Sequence, residues 1–171
     1  LVDFALTREQ EELRGQARSF LEQTPEPSWQ QLAELGWTGV SVPEEAGGAG
    51  LGFLEEAILH EELGRALHHG PFFSTMALTL PALPPELQAE VAAGEASWTL
   101  STGSLVPDLD TAARVAVLAD DGVWELEGAK RQVLATTDET RPLGRLAGGE
   151  ATRRLAGPEV LPEIRRRGRA A

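Results

Sequence analysis

The chain contains no cysteine. That excludes a disulfide framework, a thiolate nucleophile and any metal site built on sulfur, and it agrees with a cytoplasmic protein. No apolar run approaches the roughly 20 residues that a bilayer-spanning helix requires, so no membrane partner is expected. The opening residues Leu1-Val2-Asp3-Phe4 lack a basic segment leading into an apolar one, so no secretory signal is read there. Basic side chains are scarce as well: 15 Lys and Arg against 27 Asp and Glu give a formal charge of −12. Nucleic-acid binding draws its affinity from basic groups that neutralise phosphates, so no nucleic acid is expected as a partner. The local exception is Arg165-Arg166-Arg167-Gly168-Arg169, which suits the last turn of a solvated helix better than an interaction surface.

What is present fits a folded protein. With 171 residues, 42% hydrophobic and 25% charged, the chain can bury one proper core or two small ones. Thr7-Arg8-Glu9-Gln10 has the form of a capping box, and Leu13, Ala17, Phe20 and Leu21 then recur at helical spacing until Pro25 and Pro27. Ser28 caps a second short helix through Leu32 and Leu35, with Gly36 placed for a left-handed stop. Trp37 to Val42 reads as an extended apolar link, followed by a glycine-rich loop and a third helix over Phe53 to Leu67. Phe72 to Leu80 reads as a fourth helix halted at Pro81, and Pro85 opens a fifth that ends at Gly94.

Beyond Gly94 the pattern turns strand-like over Ala96 to Thr102, Ala113 to Ala119, Val123 to Glu127 and Arg131 to Thr136, with Asp120-Asp121-Gly122 as a hairpin signal. A last segment, Glu159 to Ala171, is helical but weakened by Pro162 and Gly168. The expected fold class is α+β: an antiparallel helical bundle over residues 1–95, a small β domain over 96–157, and the start of a further helix over 158–171.

Several chemical readings can be weighed against plainer ones. Val40-Ser41-Val42 and the glycines at 47, 48, 50 and 52 imitate a dinucleotide-binding turn. Glu44 and Glu45 oppose a phosphate, the spacing is wrong and no βαβ context is present, so a tight turn between helices is the better account. His60, His68 and His69 show no metal-ligand spacing, so no metal is expected. No serine sits in a glycine-flanked elbow, and Ser101-Thr102-Gly103-Ser104 reads as a strand running into a turn. Glu55-Glu56 and Glu61-Glu62 resemble acid–base pairs, yet a helix must show water a polar face, so both pairs are read as solvated.

The ordered motifs Asp3-Phe4-Ala5-Leu6-Thr7 with Glu9-Gln10, Leu32-Ala33-Glu34-Leu35-Gly36-Trp37, Val42-Pro43-Glu44-Glu45 with its glycine loop, and Glu61-Glu62-Leu63-Gly64-Arg65 resemble the amino-terminal half of an acyl-CoA dehydrogenase. The resemblance covers residues 1 to about 100 and weakens afterwards. It implies a helical domain leading into a β domain, with FAD between the β domain and a second bundle, and α,β-oxidation of an acyl-CoA thioester. It also implies cofactor contacts at Leu100, Ser101 and Thr102, where the family has Leu-Thr-Glu, and at Val133 and Leu134, where the family has a Trp-Ile-Thr type. Leu126 to Val133 is similar to the family's Leu-x-Gly-x-Lys strand, and Thr137-Asp138-Glu139-Thr140-Arg141-Pro142-Leu143 to a later element that here comes almost at once, as in an abbreviated β domain.

The family's catalytic glutamate lies in the carboxy-terminal bundle, so no catalytic residue is expected in this chain. The resemblance therefore implies an acyl-CoA substrate and a homo- or hetero-oligomer in which FAD is shared with, or held by, another subunit. Two other readings stand beside it: a non-catalytic structural or regulatory partner that kept the fold, and a piece of a longer gene product, since Arg166 to Ala171 resembles the opening of the family's next helix.

Overall fold

In a computed structural model of the chain, residues 5–138 and 140–170 are described. The readings that touch Leu1-Val2-Asp3-Phe4, Glu139 and Ala171 lie outside them.

Helix α1 (Arg8–Gln23) starts with a reciprocal cap. Thr7 Oγ1 accepts the Gln10 N–H at 3.2 Å, and Gln10 Oε1 accepts the Thr7 N–H at 2.9 Å. Helix α2 (Trp29–Glu34) opens the same way at Ser28 and is followed by Gly36 at φ +75°. The expected extended link is instead coiled into turns: Val40 bonds back to Trp37 and Val42 to Gly39, each three residues away. Trp37, Val40 and Val42 are all buried, and local turns satisfy backbone groups that a buried extended link would leave unpaired. The glycine loop then doubles back, with the N–H groups of Ala49, Gly50 and Leu51 bonded to the carbonyls of Gly39, Val42 and Val40. It is a tight turn between helices, as read from the sequence. A Cβ on Gly48 would lie 2.2 Å from the Val42 carbonyl oxygen, which leaves glycine as the only residue that fits.

Helix α3 (Phe53–Arg65) packs against α1. The expected fourth helix differs in kind. Ser74–Thr79 is a π-helical turn running into a 3₁₀ turn at Leu80–Ala82. Polar side chains inside the core account for the wider coil: Thr79 Oγ1 donates to the Ser74 carbonyl at 2.8 Å, and Thr75 Oγ1 bonds both the N–H and the C=O of Trp98, each at 2.9 Å. Helix α4 (Pro85–Ala92) carries proline at its first position and ends just before Gly94.

Seven strands come next among the described residues, three more than the sequence pattern indicates. They are β1 (Trp98–Ser101), β2 (Val106–Pro107), β3 (Arg114–Ala119), β4 (Gly122–Glu127), β5 (Lys130–Val133), β6 (Leu143–Ala147) and β7 (Glu150–Ala156). The three unread strands are β2, β6 and β7. One is only two residues long, and the other two alternate poorly. One sheet has the order β1-β3-β4-β7 and the other β2-β6-β5. The β3–β4 hairpin turns at Asp120-Asp121, as expected. Helix α5 (Leu161–Ala170) accommodates Pro162 in its first turn, where the missing N–H has no helical partner to lose, and packs on the π-helical turn. The larger of two apolar clusters among the described residues runs from Ala17, Leu32 and Leu59 through Met76 and Val91 to Trp98, Leu100, Val123 and Ile164, so helices and strands share it, while a smaller one gathers Val106, Leu109 and Val115. Among the described residues, no helix is long and apolar enough to cross a membrane.

Candidate functional site

The five residues expected near a cofactor fall into two groups. At the end of β1, Leu100 is 1% exposed and belongs to the core, Ser101 is buried with its hydroxyl donating to the Gly103 carbonyl at 3.3 Å, and Thr102 is exposed in the adjoining turn. At the end of edge strand β5, Val133 is 50% exposed and Leu134 donates its N–H to the Leu143 carbonyl at 2.9 Å. Strands β2 and β6 lie between the two groups: Thr99 Oγ1 donates to the Pro107 carbonyl at 2.6 Å, Pro107 stands opposite Leu143, and Gly144 opposite Val133. The structure therefore does not set the groups side by side. Thr102 offers a free hydroxyl and Val133 a free apolar surface, but the Ser101 hydroxyl and the Leu134 N–H are spent within the chain. These residues do not fit a flavin held by this chain alone.

The polar chemistry of the molecule concentrates elsewhere, around α3. The two glutamate pairs are not solvated as expected, because Glu56 and Glu62 have 0% and 1% exposure. Glu56 lies in the stripe it forms with Leu59, His60 and Leu63, one apolar face of the helix. One other helix each supplies the neutralising partner of Glu62 and of Glu56. Arg18 of α1 grips Glu62 with both Nε and Nη2, at 2.9 and 2.6 Å, and this bond holds the Glu62 carboxyl below the usual range despite the opposing effect of burial. Arg167 of α5 donates to Glu56 Oε2 at 3.0 Å, and Ser41 Oγ donates to the same oxygen. Arg167 thus departs from the solvated reading of the basic run, whereas the exposed Arg166 keeps it, pairing with the half-buried Glu163. The other oxygen of Glu56 stands 3.5 Å from His60 Nε2, and neither atom has a hydrogen-bond partner.

Asp108 is a further buried carboxylate. It adopts φ +49°, is 4% exposed and accepts from Ser74 Oγ at 2.7 Å. Burial pushes its pKa up, against the bond from Ser74. His68, with a 5% exposed side chain 3.8 Å from Glu26, is pushed down by burial. His69 stands 3.2 Å from Asp110. Among the described residues, no group of three or more His, Asp or Glu is placed to hold a metal ion. Helical phase was the signal that could have found Glu56. Asp108 leaves no such trace, because its burial depends on a contact across 34 residues.

Comparison with known proteins gives this arrangement a lineage. Residues 7–83 match the family "Acyl-CoA dehydrogenase, N-terminal domain". The chain is 39% identical over 140 residues to acyl-CoA dehydrogenase IpdE2 of Mycobacterium tuberculosis, a match covering 73% of this chain and 42% of that protein. It is 40% identical over 78 residues to acryloyl-CoA reductase (NADH) of Anaerotignum propionicum, covering 37% of this chain and 20% of that one. In fold it is similar to a chain of the ChsE4-ChsE5 complex from Mycobacterium tuberculosis, with a TM-score of 0.74 at 21% identity, over 95% of this chain and 61% of that chain. The chain thus spans less than half the length of these curated relatives. The family match over residues 7–83 and the 39% identity to IpdE2 over most of the chain identify it as a member of the acyl-CoA dehydrogenase family.

Proposed function

We propose that the chain forms the amino-terminal part of an acyl-CoA dehydrogenase-like flavoprotein subunit that takes part in the α,β-oxidation of an acyl-CoA thioester in the cytoplasm. FAD is shared with, or held by, a partner subunit or a carboxy-terminal bundle, within a homo- or hetero-oligomer. The observation that carries this reading is the match to IpdE2 over 140 residues, which continues from the helical domain into the strands. Exposed Thr102 and Val133 are the surfaces this chain offers to a flavin whose other contacts come from elsewhere. When bound, the flavin supplies the two-electron acceptor for the oxidation. This chain contributes a rigid frame, and no proton-abstracting base is assigned within it.

The test is the visible absorption spectrum of the purified chain, alone and co-expressed with a dehydrogenase subunit encoded beside it. Oxidised-flavin bands that bleach on addition of an acyl-CoA are expected in the co-purified complex. A colourless, non-associating pair would overturn the proposal. A second reading, a non-catalytic partner that kept the fold, is favoured by the Ser101 hydroxyl and Leu134 N–H, both turned toward their own chain. Stable association with the partner, with all flavin retained by the partner alone, is its signature.

A further inference from the structure

The two oxygens of the buried Glu56 carboxylate are served from different sides. Oε2 accepts from Arg167 Nη1 of α5 at 3.0 Å and from Ser41 Oγ of the link over residues 37–42. Oε1 faces His60 Nε2, one turn further along α3, at 3.5 Å, and both atoms are buried without a hydrogen bond. The His60 side chain is 5% exposed, so bulk water has little access to the pair. The other groups around the ring bring it no negative charge. Phe72 and Phe73 meet it edge-on, with centroids at 5.0 and 5.9 Å. His68, from the turn after α3, and Arg141, from the segment before β6, line a small cavity with it. Glu163 reaches the pair through Arg167, whose Nε it accepts at 2.8 Å.

An ionised carboxylate oxygen only accepts, so Nε2 has to carry a proton for this contact to attract, in the neutral ring or in the imidazolium. The gap is longer than an ordinary hydrogen bond, and Arg167 supplies the charge that balances Glu56. With the guanidinium in place, a proton added to His60 would put a second cation against one carboxylate. With the guanidinium withdrawn, a buried and uncompensated carboxylate is left beside an imidazole, and proton uptake by His60 restores the balance. Arg167 and the proton therefore compete to neutralise one group. Such competition is reciprocal: by whatever factor Arg167 weakens the proton's binding to His60, the proton weakens the hold of Arg167.

We propose that Glu56 and His60 form a proton-sensitive latch for α5, in which a proton on the His60 imidazole replaces the Arg167 guanidinium as the counter-charge of Glu56 and loosens the tie between α5 and α3. Ile164 stays seated in the apolar core, and Gly168 lies so near Leu78 that a Cβ there would meet Leu78 Cδ2 at 2.7 Å. These contacts do not depend on the charge of His60, so the latch sets how often α5 opens and leaves its folded position unchanged. The device is independent of the acyl-CoA reading and stands whether or not the chain carries flavin.

The chain has three histidines, so their ring signals separate in nuclear magnetic resonance spectra, where the imidazole nitrogens report tautomer and charge. The intact chain is titrated from about pH 8 to about pH 5, the range in which imidazoles change charge. In Arg167→Gln the His60 midpoint is expected about one pH unit above the parent's, a tenfold gain in proton affinity, while Arg167→Lys, which keeps a cation there, stays close to the parent. In the parent, amide exchange of α5 relative to α1, corrected for intrinsic rates, should quicken up to about tenfold as pH falls through the His60 midpoint, and His60→Gln should abolish that response. This second comparison decides the matter if Arg167→Gln does not fold. A His60 midpoint that is the same in the parent and Arg167→Gln, or α5 exchange that ignores the charge of His60, overturns the proposal. So does a Glu56 carboxyl carbon that titrates in Arg167→Gln while the His60 ring stays neutral.

Discussion

At Glu56 a carboxylate without solvent exposure is held by Arg167, 111 residues away, and by Ser41. Removing one partner of a buried ion pair strands the other, and such losses run to about 3–5 kcal/mol. Glu56→Ala should lower the urea midpoint by a corresponding amount in equilibrium unfolding, whereas exposed Glu61→Ala should move it little. Asp108 predicts the opposite sign. Its carboxyl is raised by burial, so the native state holds its proton more tightly than the unfolded one, and stability falls as pH rises from the ordinary aspartate range through the raised value. Asp108→Asn keeps an acceptor for Ser74 and tolerates the left-handed backbone. It should therefore be more stable than the parent at neutral pH in thermal melts, with the advantage vanishing toward acid. None of this was legible from residue type alone. Glu55 and Glu56 are the same residue in neighbouring positions, and only the turn of the helix sends one to Gly52 and Gln10 at the surface and the other into the core.

The elements followed the sequence wherever local chemistry decides them. The caps at Thr7 and Ser28, the left-handed Gly36, Pro85 at a helix start and the Asp120-Asp121 hairpin are all contained within a few residues. The departures come where a distant group intervenes. Thr75 substitutes for a strand neighbour of Trp98 by bonding both its backbone groups, a pairing across 23 residues that no periodicity announces. Thr75→Val keeps the shape and leaves a buried N–H and C=O unpaired, so a loss of about 2–4 kcal/mol is expected from chemical denaturation. Gly48→Ala tests the other kind of constraint. Its methyl group would collide with the Val42 carbonyl, and the loop that ties Gly39 to Leu51 should open, seen as faster amide hydrogen exchange at Ala49, Gly50 and Leu51.

Across the whole molecule, stability rests on carboxylates tied to other elements. Glu62 is held below its ordinary value first by the bond from Arg18, and Glu55 first by the bond from Gln10, so both pull α1 onto α3. A depressed carboxyl contributes stability that is present above its unfolded pKa and lost as pH falls through the folded one. The melting temperature should therefore drop as pH falls below the ordinary glutamate range, and Glu62→Gln should flatten that slope. At this scale the ordered motifs pointed to the family and to the α+β class, while the buried carboxylates of α3 remained hidden, because the partners of Glu62 come from α1 and those of Glu56 from the link over residues 37–42 and the last helix. The π-helical turn has one further consequence. A coil with i→i+5 bonds holds one residue more than an α-helix of the same hydrogen-bonding reach, so Ser74–Thr79 behaves as an α-helix with a single-residue insertion. Deleting one residue there would restore the ordinary coil and rotate the downstream residues by about a quarter turn or more. The Ser74 and Thr75 hydroxyls could then no longer both reach their partners, so this stretch has a length that sequence drift can shorten only by giving up a joint between helices and strands.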